Sequence, residues 1–353
     1  MKGLSMQIIS LDQAVKLGFD TVHVFRFAGF GDAVMFAAAA REKVRQTGKP
    51  LLIATKPKNY DMMRGIDAGC PAEIFILENY YAQIVNKRNV RRLARMGIRV
   101  NMFGQSEKNW IVADIAAGLG LSGDADLTPY LHIDKKFDAF GKLTKRPQIA
   151  IMTGGHIKKN IPVHIYQAIV DRYKGKWDFV LLGLPGDPPL RDVLDMRGKL
   201  KFATEIPAVL RASDLFIGIE GGLMHMASAV RTRAVIGDAW QGRLSGDAGH
   251  MHISPKGLKK YRGKTLGDTE TFDMDEIFAS VEKQMAQRGK PVPPTIVKLD
   301  GITPHRLRIR RDSLFVNLID LFWRSAVALL HGKKPPRDRI VQLKHKLRYG
   351  IPL

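Results

Sequence analysis

The 353-residue sequence contains one cysteine, Cys70. A lone thiol excludes an internal disulfide framework and a cysteine metal cluster, and points to a reducing compartment. Acidic residues are scarce too: 34 Asp and Glu stand against 56 Lys and Arg, a formal net charge of +22. Such a surface favours anionic partners, whether lipid headgroups, phosphorylated glycans or nucleic acid. No stretch reaches the ~18 charge-free apolar residues of a membrane span. The first 20 residues lack a long apolar core and carry Asp12, which is not a secretory-signal pattern, so a cytoplasmic location is expected. His156, His164, His250 and His252 have no carboxylate or cysteine at metal-ligand spacing. Asp124-Ala125-Asp126 follows a glycine-rich turn and reads as turn chemistry rather than a metal-binding D-x-D. Ser213 and Ser245 lie outside nucleophile-elbow contexts, and Gly29-Phe30-Gly31 lacks the third glycine of a dinucleotide fingerprint. No metal ion is expected.

What is present is alternation. Apolar strand patterns at residues 22–27, 51–55, 73–77 and 99–103 are separated by helical patterns at 32–46, 60–67, 80–96 and 108–118. Residues 134–147 are polar and basic, and the alternation restarts after them. Strands are expected at 148–153, 179–183, 201–204, 215–220 and 233–237, and helices at 162–173, 207–213 and 223–230. This order implies α/β architecture with parallel sheets, and the length implies two domains. The expected division is residues 1–147, 148–300 and a basic helical extension, 301–353.

Two strand–turn–helix junctions carry the chemistry. In the first, an apolar run ends at Ala28-Gly29-Phe30-Gly31, and Asp32 opens an alanine-rich helix. Asp32 can act as an N-cap, or as a carboxylate at the sheet edge where open α/β folds bind ligands. In the second, Leu215-Phe216-Ile217-Gly218-Ile219 ends at Glu220, followed by Gly221, Gly222 and a helical pattern containing His225. Bare helix N-termini attract phosphate through unpaired N–H groups and the helix dipole, and glycine lets a ligand approach the backbone. A third turn, Thr153-Gly154-Gly155, ends the first strand of the second half, with Lys159 shortly after it.

The set resembles the heptosyltransferase-like glycosyltransferases (glycosyltransferase family 9, GT-B fold). Gly31-Asp32 with its apolar helix matches the family's N-terminal Gly-Asp. Residues 220–229, EGGLMHMASA, match Asp-Ser/Thr-Gly-x-x-His-x-x-Ala-Ala, and Lys159-Asn160-Ile161-Pro162 matches Lys-x-Trp-Pro. The matches come in the family's order and span most of residues 22–238. Three positions depart: Glu220 stands for Asp, Gly221 for Ser or Thr, and Ile161 for Trp.

The resemblance implies two Rossmann-like domains facing a cleft, and metal-independent, inverting transfer of a heptose-like sugar from a nucleotide diphosphate donor. That donor would be ADP-linked, a substrate rather than a cofactor, and the acceptor a glycan of lipopolysaccharide type. Asp32 would be the base and Lys159 a cation for the leaving diphosphate. Gly31, Thr153, Gly154, Gly155, Glu220, Gly221, Gly222 and His225 would line the substrate site. Two other readings stay open: transfer to nucleic acid, and a non-catalytic nucleotide- or glycan-binding protein on a degenerate GT-B scaffold.

The tail adds a further expectation. Residues 301–353 hold 12 Lys or Arg against 3 Asp, and the apolar stretch 313–330 lies between basic runs at 306–311 and 333–339. It reads either as a helix bracing two domains or as an interfacial helix placing Phe315, Phe322 and Trp323 among headgroups. The whole chain is expected to sediment with anionic vesicles and to be released by salt, each basic residue at the surface contributing ~1 kcal/mol. Deleting residues 301–353 should remove most of that binding; undiminished vesicle binding by the truncated chain would overturn peripheral attachment through the tail.

Overall fold

The computed structural model describes residues 7–25, 29–78, 87–104, 109–154, 161–237, 247–254 and 272–306. The first half runs β1 (Ile8–Ile9), α1 (Leu11–Lys16), β2 (Thr21–Phe25), α2 (Phe30–Thr47), β3 (Leu51–Ala54), β4 (Ile74–Leu77), α3 (Lys87–Arg95), β5 (Arg99–Phe103), α4 (Ile111–Gly118) and β6 (Asp124–Asp126). Five of its strands form an all-parallel sheet in the order β1-β4-β3-β2-β5. The second half runs β7 (Gln148–Met152), α5 (Val163–Tyr173), β8 (Asp178–Leu182), β9 (Leu194–Asp195), α6 (Glu205–Ala212), β10 (Leu215–Ile219), α7 (Gly222–Ala229), β11 (Ala234–Gly237), β12 (His250–Ile253), α8 (Met274–Ala286) and β13 (Ile296–Lys298). Its parallel sheet has the order β12-β11-β10-β7-β8-β9.

The central strands β3, β7 and β10 are nearly continuous apolar runs because both faces are covered, as a parallel sheet requires. Every residue of β7 and β10 is buried. Gln148 is the polar exception and acts as a tie. Its Nε2 donates to the Gly141 carbonyl at 3.0 Å and to Ser213 Oγ at 3.0 Å, while its Oε1 accepts from Leu143 N–H at 2.8 Å. The polar linker is thereby fixed to the first strand of the second sheet.

Helix α2 is buried from residue 33 to residue 40. A helix buried on all sides needs neighbours on all sides, and α2 has its own sheet on one side and α7 of the other half on the other. The four alanines at 37–40 keep its profile thin enough to fit between them. Gly48, in the left-handed region at φ 64°, ends it by donating to the Val44 carbonyl.

Several local expectations change. Residues 201–204 form a turn rather than a strand: the Lys201 carbonyl accepts from both Glu205 and Ile206 N–H, and its own N–H donates to the Glu205 carboxylate. The expected helix at 60–67 is a 3-10 turn over Pro57–Met63. Asp124-Ala125-Asp126 is strand β6, paired antiparallel with β13. Residues 79–86, the start of the expected helix at 80–96, lie outside the described residues.

The chain also returns to the first half before residue 300. Val297 and Leu299 pack in the first half's core, and Gly104 N–H donates to the His305 carbonyl. The reason is pairing: β6 offers an open edge, and β13 fills it. Among the described residues no helix is long and apolar enough to cross a membrane. The basic extension lies outside them from residue 307.

His23 on β2 gives the first half a measurable pH response. Asn101 Nδ2 donates to His23 Nδ1 at 2.9 Å, so that nitrogen is an acceptor. Burial, helped by the Lys43 ammonium, pushes the imidazole down from 6.5 to about 4. A histidine held neutral in the fold stabilises fully above its unfolded pKa and loses that contribution as pH falls from 6.5 towards 4. Urea midpoints should therefore drop across this window in the wild type. His23→Gln should flatten the drop by on the order of 1–3 kcal/mol; an unchanged slope would show that another group controls it.

Candidate active site

The first junction folds as α2's N-terminal turn. Gly29 is the N-cap in extended conformation, with no side-chain cap available, and Asp32 is the third helical residue. Its Oδ2 accepts the Gly29 N–H at 2.7 Å, the reaching-back half of a capping box. Asp32 is thus at N3 rather than at the cap itself. An ionised carboxylate accepts at about four lone-pair positions, more than one capping bond occupies. Arg26, just before this turn, is outside the described residues.

The second junction is α7's N-terminus. Glu220 follows β10 and is half-buried. Gly221 is extended at φ 167°, and apart from its chain neighbours no described atom lies within 4 Å of the place its Cβ would take. The helix has no side-chain cap, so its first N–H groups face the space over Gly221. The hydroxyl that the family carries at this position would fit here, and its absence enlarges the opening.

The two junctions meet. A Cβ on Gly31 would fall 2.2 Å from His225 Cδ2 and 2.9 Å from its Nε2. His225 is 5% exposed, so its ring is clamped against the first half by the absence of a side chain at Gly31. Phe30 reaches the same way and packs on Phe202, ring centroids 4.4 Å apart, while Val34 joins the second half's core. Gly31, Asp32, Gly221, Gly222 and His225 therefore surround one seam, at the C-terminal edges of β2 and β10, where open α/β sheets bind ligands.

The third turn is placed differently. Thr153 is fully buried, and its hydroxyl donates to the Pro188 carbonyl at 2.6 Å. A Cβ on Gly154 would sit 1.9 Å from the Asp187 carboxyl carbon. Asp187 caps Leu184 N–H at 2.7 Å, so Gly154 is bare to admit a carboxylate, not only a ligand. Gly155 and Lys159 lie outside the described residues. Ile161, where the family has Trp, is buried with its Cδ1 1.7 Å from where a Gly237 Cβ would be, and fills apolar space between α5 and β11.

Phe30, Phe202 and Asp187 were not singled out in the sequence. Phe30, a large apolar residue between two turn glycines, is the one with a readable signal, because such a residue has no place in a solvated loop. Phe202 was hidden by the strand expectation, and Asp187 by a Pro- and Gly-rich loop.

Two parallel Rossmann-like halves with their helix N-termini meeting at one seam form a GT-B fold. The structure matches all of a glycosyl transferase family 9 structure from Veillonella parvula over 80% of this chain, at 12% identity and a TM-score of 0.57. It matches 99% of the E. coli ADP-heptose LPS heptosyltransferase II over 76% of this chain, at 13% identity and a TM-score of 0.54. Comparison of the sequence with protein-family models finds no match, and comparison with curated proteins finds none. At these identities the likeness is one of fold.

The Gly31–His225 contact predicts a change of sign. Gly31→Ala should destabilise the wild type by roughly 1–3 kcal/mol through overpacking. In a His225→Ala background the same change should stabilise by up to ~1 kcal/mol, because alanine is the better helix former. Thermal melts of the four proteins test this; additive effects would mean that the ring does not press on Gly31.

Proposed function

We propose that the chain is an inverting glycosyltransferase, metal-independent, that transfers a heptose-like sugar from a nucleoside diphosphate donor, ADP-linked, to an anionic glycan or lipopolysaccharide-type acceptor. The observation that carries this reading is the Gly31–His225 contact. It sets a carboxylate-bearing turn of one half beside a bare helix N-terminus of the other. A second support is the fold shared with a protein named for ADP-heptose.

The chemistry follows from the residues. Asp32 takes the proton of the acceptor hydroxyl as that oxygen attacks the anomeric carbon. The bond from that carbon to the diphosphate oxygen breaks in the same displacement, which inverts the centre. The charge left on the diphosphate is met by the N–H groups following Gly221 and Gly222, by α7's dipole and by the Lys159 ammonium. Glu220 accepts from the ribose hydroxyls, and His225 donates to the diphosphate. Thr153, Gly154 and Gly155 supply backbone at the strand end. The enzyme works in the cytoplasm at the inner face of the membrane, where its positive charge meets an anionic acceptor.

One observation favours the non-catalytic reading: the Asp32 carboxylate is engaged by Gly29 N–H. Asp32→Asn separates the two. It should leave melting and ADP binding near wild type and lower transfer by about 10²–10⁴-fold; unchanged turnover would make Asp32 a cap only. Calorimetry should also find ADP binding in EDTA, weakened by Glu220→Ala for adenosine and ADP alike, but by Lys159→Ala mainly for ADP. Binding that requires an added divalent ion would overturn the scheme.

A further inference from the structure

We propose that the second half carries an additional anion site, a basic pocket at the N-terminal edge of its sheet that takes the phosphoryl group of a larger ligand. The cavity measures about 600 Å3 and lies among Arg233, His250, Met251, Lys283, Gln287 and Lys290. Arg233 directly precedes β11, and His250 opens β12. The donor seam lies at the opposite edge, beyond the C-terminal ends of these strands. Four residues of β11 separate the two edges by roughly 13 Å.

Charge is the first ground. No Asp or Glu lines the cavity, and among the described residues Arg233, Lys283 and Lys290 form no ion pair. Three cations line one cavity whose lining holds no carboxylate, and such a cavity attracts an anion. Elsewhere on this surface two arginines are neutralised: Arg172 pairs with Glu282, and Arg288 with Asp214. The cluster at this pocket is the contrast.

The anchoring of Arg233 is the second ground. Its Nη2 donates to the Pro291 carbonyl at 3.2 Å, which holds the guanidinium at the cavity wall. The His250 side chain is wholly buried behind that wall, so this residue lines the cavity through its backbone. An anchored guanidinium donates charge-assisted hydrogen bonds to a phosphoryl oxygen with little further loss of side-chain freedom.

The walls are rigid. Gln284 Nε2 donates to the Ala234 carbonyl at 3.2 Å and to the Gly249 carbonyl at 3.1 Å, which pins α8 across the strand starts. The volume exceeds that of a bare phosphate, and Met251 offers an apolar surface to whatever carries it. The phosphoryl group belongs either to a soluble molecule or to a lipid headgroup.

The experiment uses the full chain and the double variant Lys283→Gln/Lys290→Gln, both positions exposed and outside the core. Inorganic pyrophosphate is titrated by calorimetry, and vesicles of phosphatidylcholine with and without phosphatidylglycerol are tested by sedimentation. Loss of two exposed charges should weaken pyrophosphate binding about tenfold, while His225→Ala, at the other edge, leaves this component intact. Weakened binding confined to anionic vesicles assigns the phosphoryl group to a lipid headgroup. Arg233→Gln should reproduce the loss; its melting curve reports separately on the Pro291 contact. Equal pyrophosphate and vesicle binding by wild type and double variant, or no binding by either, overturns the site.

Discussion

The fold depends on one close approach, the His225 imidazole lying against the unsubstituted Gly31. It requires a glycine in the first turn of α2 and a thin, alanine-lined helix behind it. Everything placed at the seam follows: Phe30 can reach Phe202, Val34 can enter the second half's core, and Asp32 lies beside α7's N-terminus. A β-carbon at residue 31 would force these groups apart. In the proposed scheme the donor site and the contact between halves are thus the same few atoms, so donor binding and the packing of the halves would share one energy term.

The scheme asks different things of the two junctions. Asp32 is placed by a backbone bond from Gly29, which fixes the carboxylate's direction before any ligand arrives. Preorganisation of that kind lowers the reorganisation needed in a transition state. Gly221, in contrast, is neither strained nor crowded. Its lack of a side chain leaves room, and Glu220 beside it is one methylene longer than the Asp of the motif it resembles. The pair of departures from the family motif reads as one adjustment, a wider pocket with a longer arm.

Much of the architecture was legible because the central parallel strands, buried on both faces, are apolar with little interruption; β7 and β10 were readable within a residue. Asp32 and His225 were legible because glycines mark where a backbone must turn sharply or approach closely. What escaped depends on partners distant in sequence. β6 is a strand only because β13 returns to pair with it, and DAD alone carries no strand pattern. The strand expected at 201–204 has the right composition, but Glu205 reaches back to Lys201 N–H and converts it into the lead-in of α6. Gly154 looked like a phosphate turn, and only the packing places the Asp187 carboxylate against it.

The return of β13 has a mechanical consequence. The polypeptide passes between the halves twice, once after β6 and once before β13, and the two passages are bonded to each other: Leu127 N–H donates to the Thr295 carbonyl, and Thr295 N–H to Thr128 Oγ1. Two cords fastened side by side act as the pin of a door. They permit rotation about their own line and resist sliding or twisting of one half past the other. A swing about that line is the relative motion of the halves that these bonds oppose least, and it keeps the His225 ring aimed at the same face of Gly31.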